Sequence, residues 1–192
     1  NSNILGILNV LEACRLTDKE IRIYYAGSSE CFGDTRGLAA TEKTPFHPQS
    51  PYAVAKTSAF WLVNNYRAAY NLFICTGILF NHESPLRPKS FVTQKIVLTA
   101  HRIANGSDEK LELGRLDISR DWGWAPEYVE AMWIMLQHEN ANDYVIATGE
   151  SVSLQEFVEL TFSSLDLDWS EYVISDSSLL RPSDIRFGKG DA

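Results

Sequence analysis

The sequence holds little that would tie it together covalently or through a metal. Its three cysteines, Cys14, Cys31 and Cys75, are odd in number and widely spaced, with no C-x-x-C pair. That argues against a disulfide framework or a zinc site and for reduced, mostly buried thiols in a cytoplasmic setting. Its four histidines lie far apart without metal-ligand spacing. No apolar run, FICTGILF included, is long enough to span a bilayer, and no signal-peptide pattern is read, so no membrane partner is expected. Positive charge is scarce as well. Seventeen Lys and Arg face 25 Asp and Glu, a formal net charge of −8, which argues against a non-specific nucleic-acid binder but leaves room for a local basic pocket for an anionic ligand.

What is present is ordinary globular composition, 45% hydrophobic and 22% charged, in a length of 192 residues that suits one domain with a sizeable core. Ile4, Ile7, Leu8 and Leu11 recur at helical spacing at the start. EIRIYYAGSS reads as a short buried strand, and a loop from about Gly33 to Gln49 follows it. Ser50 is placed to cap a helix, with Pro51 at its first position, and the pattern runs to about Tyr70. NLFICTGILFN is too apolar for a strand with one wet face. A helix from Phe91 to about Asn105, a strand at Leu111–Leu113, a loop carrying RDWG, a helix from Pro126 to about His138 and a strand YVIAT come next. After Val152 one more helix, LQEFVELTFSSL, precedes a stretch without clear periodicity. Helices alternating with buried strands predict a parallel α/β sheet.

The chemistry-bearing stretch is SPYAVAK. Tyr52 and Lys56 stand at i and i+4 on one helix, so their side chains share a face. A neighbouring ammonium and the positive end of the helix dipole both favour phenolate, so a lowered Tyr52 pKa is expected. Gly27-Ser28-Ser29-Glu30 closes the first strand at its carboxyl end, where ligands bind in parallel sheets. A Ser/Tyr/Lys trio so arranged resembles the short-chain dehydrogenase/reductase superfamily. The resemblance implies that Tyr52 is the acid/base on a substrate hydroxyl, that Ser28 hydrogen-bonds the same oxygen, and that Lys56 holds the nicotinamide ribose.

GSSECFG, TPFHPQSPYAVAK, GILFNHESPLR, FVTQKI, SRDWGWAPEYVEAMWIMLQ and YVIATGESVSLQEFVE narrow the likeness. Together they resemble the GDP-mannose 4,6-dehydratase family over almost the whole chain. By that resemblance Glu30 is the base at carbon 5 of the hexose, completing a catalytic set of Ser28, Glu30, Tyr52 and Lys56. Lys56, His82 and Arg87 would contact NADP, and Asn81, Arg120 and Arg181 would face the GDP-sugar. The forked donors of arginine suit its diphosphate. The expected partner is GDP-mannose, and association into a homodimer or homotetramer is implied through helices at 51–70 and 91–105.

The resemblance implies a partial Rossmann-like, doubly wound parallel sheet plus part of a smaller C-terminal substrate-binding α/β region. Residues 1–80 are expected to form the C-terminal half of the dinucleotide-binding part with the catalytic residues, and 81–192 a mixed region with GDP-sugar segments. The chain opens on Asn1 and carries no G-x-x-G-x-x-G turn for a cofactor pyrophosphate, so it reads as an internal piece of a longer protein. Two other readings compete: another sugar-nucleotide epimerase or reductase, which has no use for Glu30, and a non-catalytic oligomerisation module. A hydrolase with Ser28 as nucleophile and His47 as base lacks a nucleophile-elbow pattern.

Overall fold

A computed structural model describes residues 2–180 and 184–192. The elements follow in the order α1 (Ser2–Thr17), β1 (Ile23–Ala26), α2 (Pro51–Tyr70), β2 (Ile74–Leu79), β3 (Asn81–Glu83), α3 (Val92–Ala104), β4 (Leu111–Leu113) and β5 (Ser119–Arg120). Then come β6 (Trp122–Trp124), α4 (Ala125–Met135), β7 (Asp143–Ile146), β8 (Val152–Ser153), α5 (Leu154–Ser163), α6 (Trp169–Tyr172) and β9 (Val173–Ser175). A short 3-10 turn over Ser29–Phe32 sits directly after β1.

β1, β2 and β7 pair in parallel with β2 in the middle, Ile23 beside Ile74 and Leu79 beside Ile146. All six residues of β2 are buried, as a central parallel strand covered on both faces requires. α2 crosses over between β1 and β2. Ser50 caps it, its Oγ accepting from the Ala53 N–H at 3.0 Å, and Asn71 ends it in the left-handed conformation at φ 54°. Its inner face of Ala59, Phe60, Val63 and Tyr66 packs with Leu11 and Cys14 of α1, with Tyr25 of β1, and with Ile74 and Ile78 of β2. All three cysteines are buried and free.

A second cluster lies around α3 and α5, where Ile96, Ala100 and Ile103 meet Val158 and Phe162 over Leu111 and Leu113 of β4. Each large side chain so buried stabilises the fold by about 1.5–3 kcal/mol relative to exposure. Ser153 and Glu156 form a reciprocal capping box that starts α5. The terminal stretch returns to the loop after β1: Ala40 N–H donates to Lys189 O and Asp191 N–H to Ala40 O, both at 2.9 Å.

Two stretches differ from the sequence reading. The RDWG segment is not a plain loop, because Ser119–Arg120 pairs antiparallel with β8 and Trp122–Trp124 pairs parallel with β3. Strands of two or three residues are too short to show alternation. The C-terminal stretch without periodicity contains α6 and β9, and β9 pairs in parallel with β4. Among the described residues no helix is long and apolar enough to cross a membrane.

Candidate active site

The segments that follow β1 and β2 emerge at the same edge, the carboxyl ends of parallel strands, and they carry most of the residues singled out from the sequence. Ser28 follows β1 by one glycine and caps the 3-10 turn, its Oγ accepting from the Glu30 N–H at 3.3 Å. Glu30 is half-buried, and Ser50 Oγ donates to its Oε2 at 3.3 Å. Two residues further, on the first turn of α2, Tyr52 stands 47% exposed, so a ligand can reach its phenol. The Ser28 hydroxyl lies near enough to that phenol to favour its ionised form. Ser28, Glu30 and Tyr52 therefore form one polar cluster, bridged by Ser50.

Lys56 lies one turn along α2. Its Nζ donates to Ala26 O, the last carbonyl of β1, at 3.0 Å, and Tyr25 Oη donates back to Lys56 O at 3.3 Å. The ammonium sits 5.8 Å from the Tyr52 ring centre. The expectation of a lowered Tyr52 pKa is corrected here. Burial raises it above its ordinary value and the nearby Glu30 carboxylate adds to the rise, while the Ser28 hydroxyl and the Arg87 charge oppose it. Lys56, directed into the end of β1, is itself lowered by burial. In the ligand-free protein the phenol is thus the favoured form.

β3 continues directly from β2 and holds Asn81 and His82 on the same edge. His82 Nδ1 lies 2.8 Å from Phe80 O, which assigns the proton to that nitrogen, and its ring stacks on Tyr128 at 4.7 Å. That stacking depends on a bare backbone at Gly123, the pairing partner of His82, because a Cβ there would come within 2.3 Å of the Tyr128 ring. Arg87 is half-buried. Its guanidinium lies 3.7 Å over Phe91, and its Nε stands 3.3 Å from Glu83 without the alignment of a hydrogen bond. Thr93 Oγ1 donates to the same Glu83 oxygen at 2.8 Å.

Arg120 is on β5, two residues before Trp122, the partner of Asn81, so these two candidates belong to adjoining segments. Arg120 Nη1 donates to Ser119 O at 2.9 Å. The next residue, Asp121, is not among the candidates read from the sequence, and it is the most thoroughly bonded carboxylate near the site. Fully buried, it accepts from Thr148 N and Oγ1 at 2.9 and 2.7 Å, from Gly149 N at 3.1 Å and from Gly190 N at 3.3 Å. It joins the segment carrying Arg120 to the end of β7 and to the C-terminal stretch. Arg181 lies outside the described residues.

A parallel sheet with a serine after one strand, and a tyrosine and lysine four apart on the next helix, defines the short-chain dehydrogenase/reductase class. The neighbours among solved structures agree. A dTDP-glucose 4,6-dehydratase from Bacillus anthracis in complex with NAD superposes with a TM-score of 0.88 at 22% identity, covering 99% of this chain and 58% of that one. RMD from Pseudomonas aeruginosa complexed with NADPH also gives 0.88, at 26% identity, over 98% of this chain and 63% of that one.

The family model described as GDP-mannose 4,6 dehydratase matches residues 1–192. The chain belongs to that family. It is 50% identical over 191 residues to GDP-mannose 4,6 dehydratase 2 of Arabidopsis thaliana, covering 97% of this chain and 51% of the relative. It spans about half the length of the relatives it matches.

Proposed function

We propose that the full-length protein is a lyase that dehydrates GDP-mannose to GDP-4-keto-6-deoxy-mannose, with NADP as its hydride carrier. The observation that carries this reading is Glu30, held beside the Ser28–Tyr52 pair by Ser50. A carboxylate next to the oxygen acid/base serves an elimination, whereas a 4-epimerase or a simple reductase has no proton to remove at carbon 5. Family membership supports the substrate.

The residues present fit a nicotinamide with its ribose. Lys56 and His82 border one edge, and the buried Arg87 Nε lacks an aligned acceptor. The assignment of the phosphorylated cofactor is supported by the neighbour complexed with NADPH. When bound, the nicotinamide supplies hydride acceptance at carbon 4 and its return at carbon 6.

Tyr52 takes the proton of the 4-hydroxyl while Ser28 hydrogen-bonds the same oxygen. The 4-ketone acidifies the hydrogen on carbon 5, and Glu30 takes that proton. The electron pair left behind forms the bond to carbon 6 as the 6-hydroxyl departs with a proton as water. A hydride on carbon 6 and a proton on carbon 5 complete the product, so the net change is loss of one water. Asn81, Arg120 and Arg181 hold the nucleotide diphosphate in this reading. The division into a catalytic part, 1–80, and a sugar-nucleotide part, 81–192, belongs to the same proposal. It is supported by the two separate core clusters, although β7 of the second part completes the sheet of the first. Association into a homodimer or homotetramer and a cytoplasmic location complete the reading.

The test is turnover of GDP-mannose with NADP by the full-length protein, read by chromatography of the sugar nucleotide. Conversion that is lost in Tyr52→Phe and Glu30→Gln supports the reading. A folded, NADP-binding protein that leaves GDP-mannose unchanged overturns it.

A further inference from the structure

Ser50 satisfies two groups at once. Its oxygen accepts from the Ala53 N–H at 3.0 Å, the ordinary work of a helix cap, and its proton points to Glu30 Oε2 at 3.3 Å. One hydroxyl can do both, having two lone pairs and one hydrogen. A cap alone needs only the acceptor, which Asp or Asn would supply equally well. The second bond requires a donor, and it crosses a long loop to find its partner.

That loop is built to keep the two residues together. His47 N–H donates to Cys31 O at 2.9 Å, closing it just beyond Glu30 and just before Ser50. The backbone of Glu30 is fixed independently, since its N–H donates to Ser28 Oγ at 3.3 Å. Two serines thus bracket Glu30, Ser28 at the amide and Ser50 at the carboxylate. Ser50 is also tied to Tyr52 through the turn of α2 that carries it.

We propose that Ser50 is a positioning residue for Glu30, fixing its carboxylate on the first turn of α2 so that the carbon 5 base and the carbon 4 acid/base move as one body. The inference rests on the dehydratase reading above. A glutamate side chain free to turn samples several rotamers, and holding it in one raises the productive fraction by about tenfold.

The experiment uses three variants of the full-length protein. Ser50→Thr keeps donor and acceptor, Ser50→Asp keeps the cap but sets a like charge against Glu30, and Ser50→Ala removes both. Melting temperature reads the cap. Absorbance of reduced nicotinamide on mixing with GDP-mannose reads oxidation at carbon 4, and deuterium entering carbon 5 from heavy water reads the elimination. We expect Ser50→Asp to keep the helix cap and to slow deuterium entry about tenfold more than it slows oxidation at carbon 4, which its charge beside Tyr52 also retards, so that reduced cofactor accumulates. KM should stay unchanged and Ser50→Thr should restore the rate. A ligand-free cycle of Ser50→Ala with Glu30→Gln should be non-additive in melting temperature.

If Ser50→Asp takes up deuterium at the parental rate, or if Ser50→Ala slows both steps equally, Ser50 is a cap and nothing more. A parent protein that neither oxidises carbon 4 nor exchanges carbon 5 removes the dehydratase reading and this inference with it, an outcome separate from a failure of the variants alone.

Discussion

Replacing Gly33 with alanine tests whether the loop geometry beneath Glu30 is as constrained as it looks. Gly33 has φ 67° and ψ −151°, a region essentially reserved for glycine, where another residue costs about 1–3 kcal/mol. The space is closed as well: a Cβ would stand 2.2 Å from the backbone oxygen of His47, so the main chain itself must move. That movement threatens the His47 to Cys31 hydrogen bond of 2.9 Å, worth about 1 kcal/mol net. Together the two effects predict a loss of about 2–4 kcal/mol, a melting temperature lower by roughly 10 °C for a chain of this size. Thermal unfolding followed by circular dichroism reads it. Gly6 is the control, since it lies inside α1 with nothing within 4 Å of its missing Cβ, and Gly6→Ala should stabilise by about 0.5–1 kcal/mol. Because the strain falls three residues from Glu30, Gly33→Ala should also slow deuterium entry at carbon 5 more than oxidation at carbon 4. A Gly33→Ala protein that melts within about 1 °C of the parent refutes the reasoning.

Three further outcomes follow from the charged and titratable groups. The Arg15 guanidinium and the Tyr66 hydroxyl both bond the Glu12 carboxylate, which lowers its pKa from an ordinary 4.5 to about 2. A carboxylate depressed on folding stabilises the native state above its unfolded value and loses that contribution as pH falls through the folded one. Glu12→Gln should therefore lower the melting temperature at neutral pH, by an amount that shrinks below about pH 4.5 and is gone only below about pH 2. The raised pKa of Tyr52 leaves it protonated at neutral pH, so oxidation at carbon 4 should quicken as pH rises, read as a pH–rate profile in single turnover. Arg87 opposes that rise in pKa, and Arg87→Ala should push the profile to higher pH. A profile that stays in place would remove Arg87 from the electrostatics of the site.

What could be read in the sequence was whatever is local and long enough to repeat. α2 is legible from Ser50 and Pro51 to Tyr70 because cap, proline and apolar spacing agree over twenty residues. β2 is legible because a wholly buried parallel strand is an unbroken apolar run. β3, β5, β6 and β8 have too few residues to carry a period, and pairing rather than propensity makes them strands. The candidate site divides in the same way. Tyr52 and Lys56 reveal themselves by spacing on one helix, and Ser28 and Glu30 by following a strand end.

The sign of the Tyr52 shift was not legible, because burial and the Glu30 charge come from the folded chain, and Lys56 spends its ammonium on the end of β1. Nothing local in the sequence marks Asp121 as a junction. Only the fold brings Thr148, Gly149 and Gly190 around it. Ser50 was readable as a cap, but its bond to Glu30 depends on a loop that returns the chain to its own beginning.

The central claim is that Tyr52 and Glu30 act in sequence on one hexose, with the hydride taken from carbon 4 delivered to carbon 6. The most direct measurement supplies the full-length protein with GDP-mannose deuterated at carbon 4 and locates the label in the product by mass spectrometry and NMR. The account predicts deuterium on carbon 6 of a 4-keto-6-deoxy product, with no label lost to solvent. Deuterium still on carbon 4, with the 6-hydroxyl in place, would contradict it.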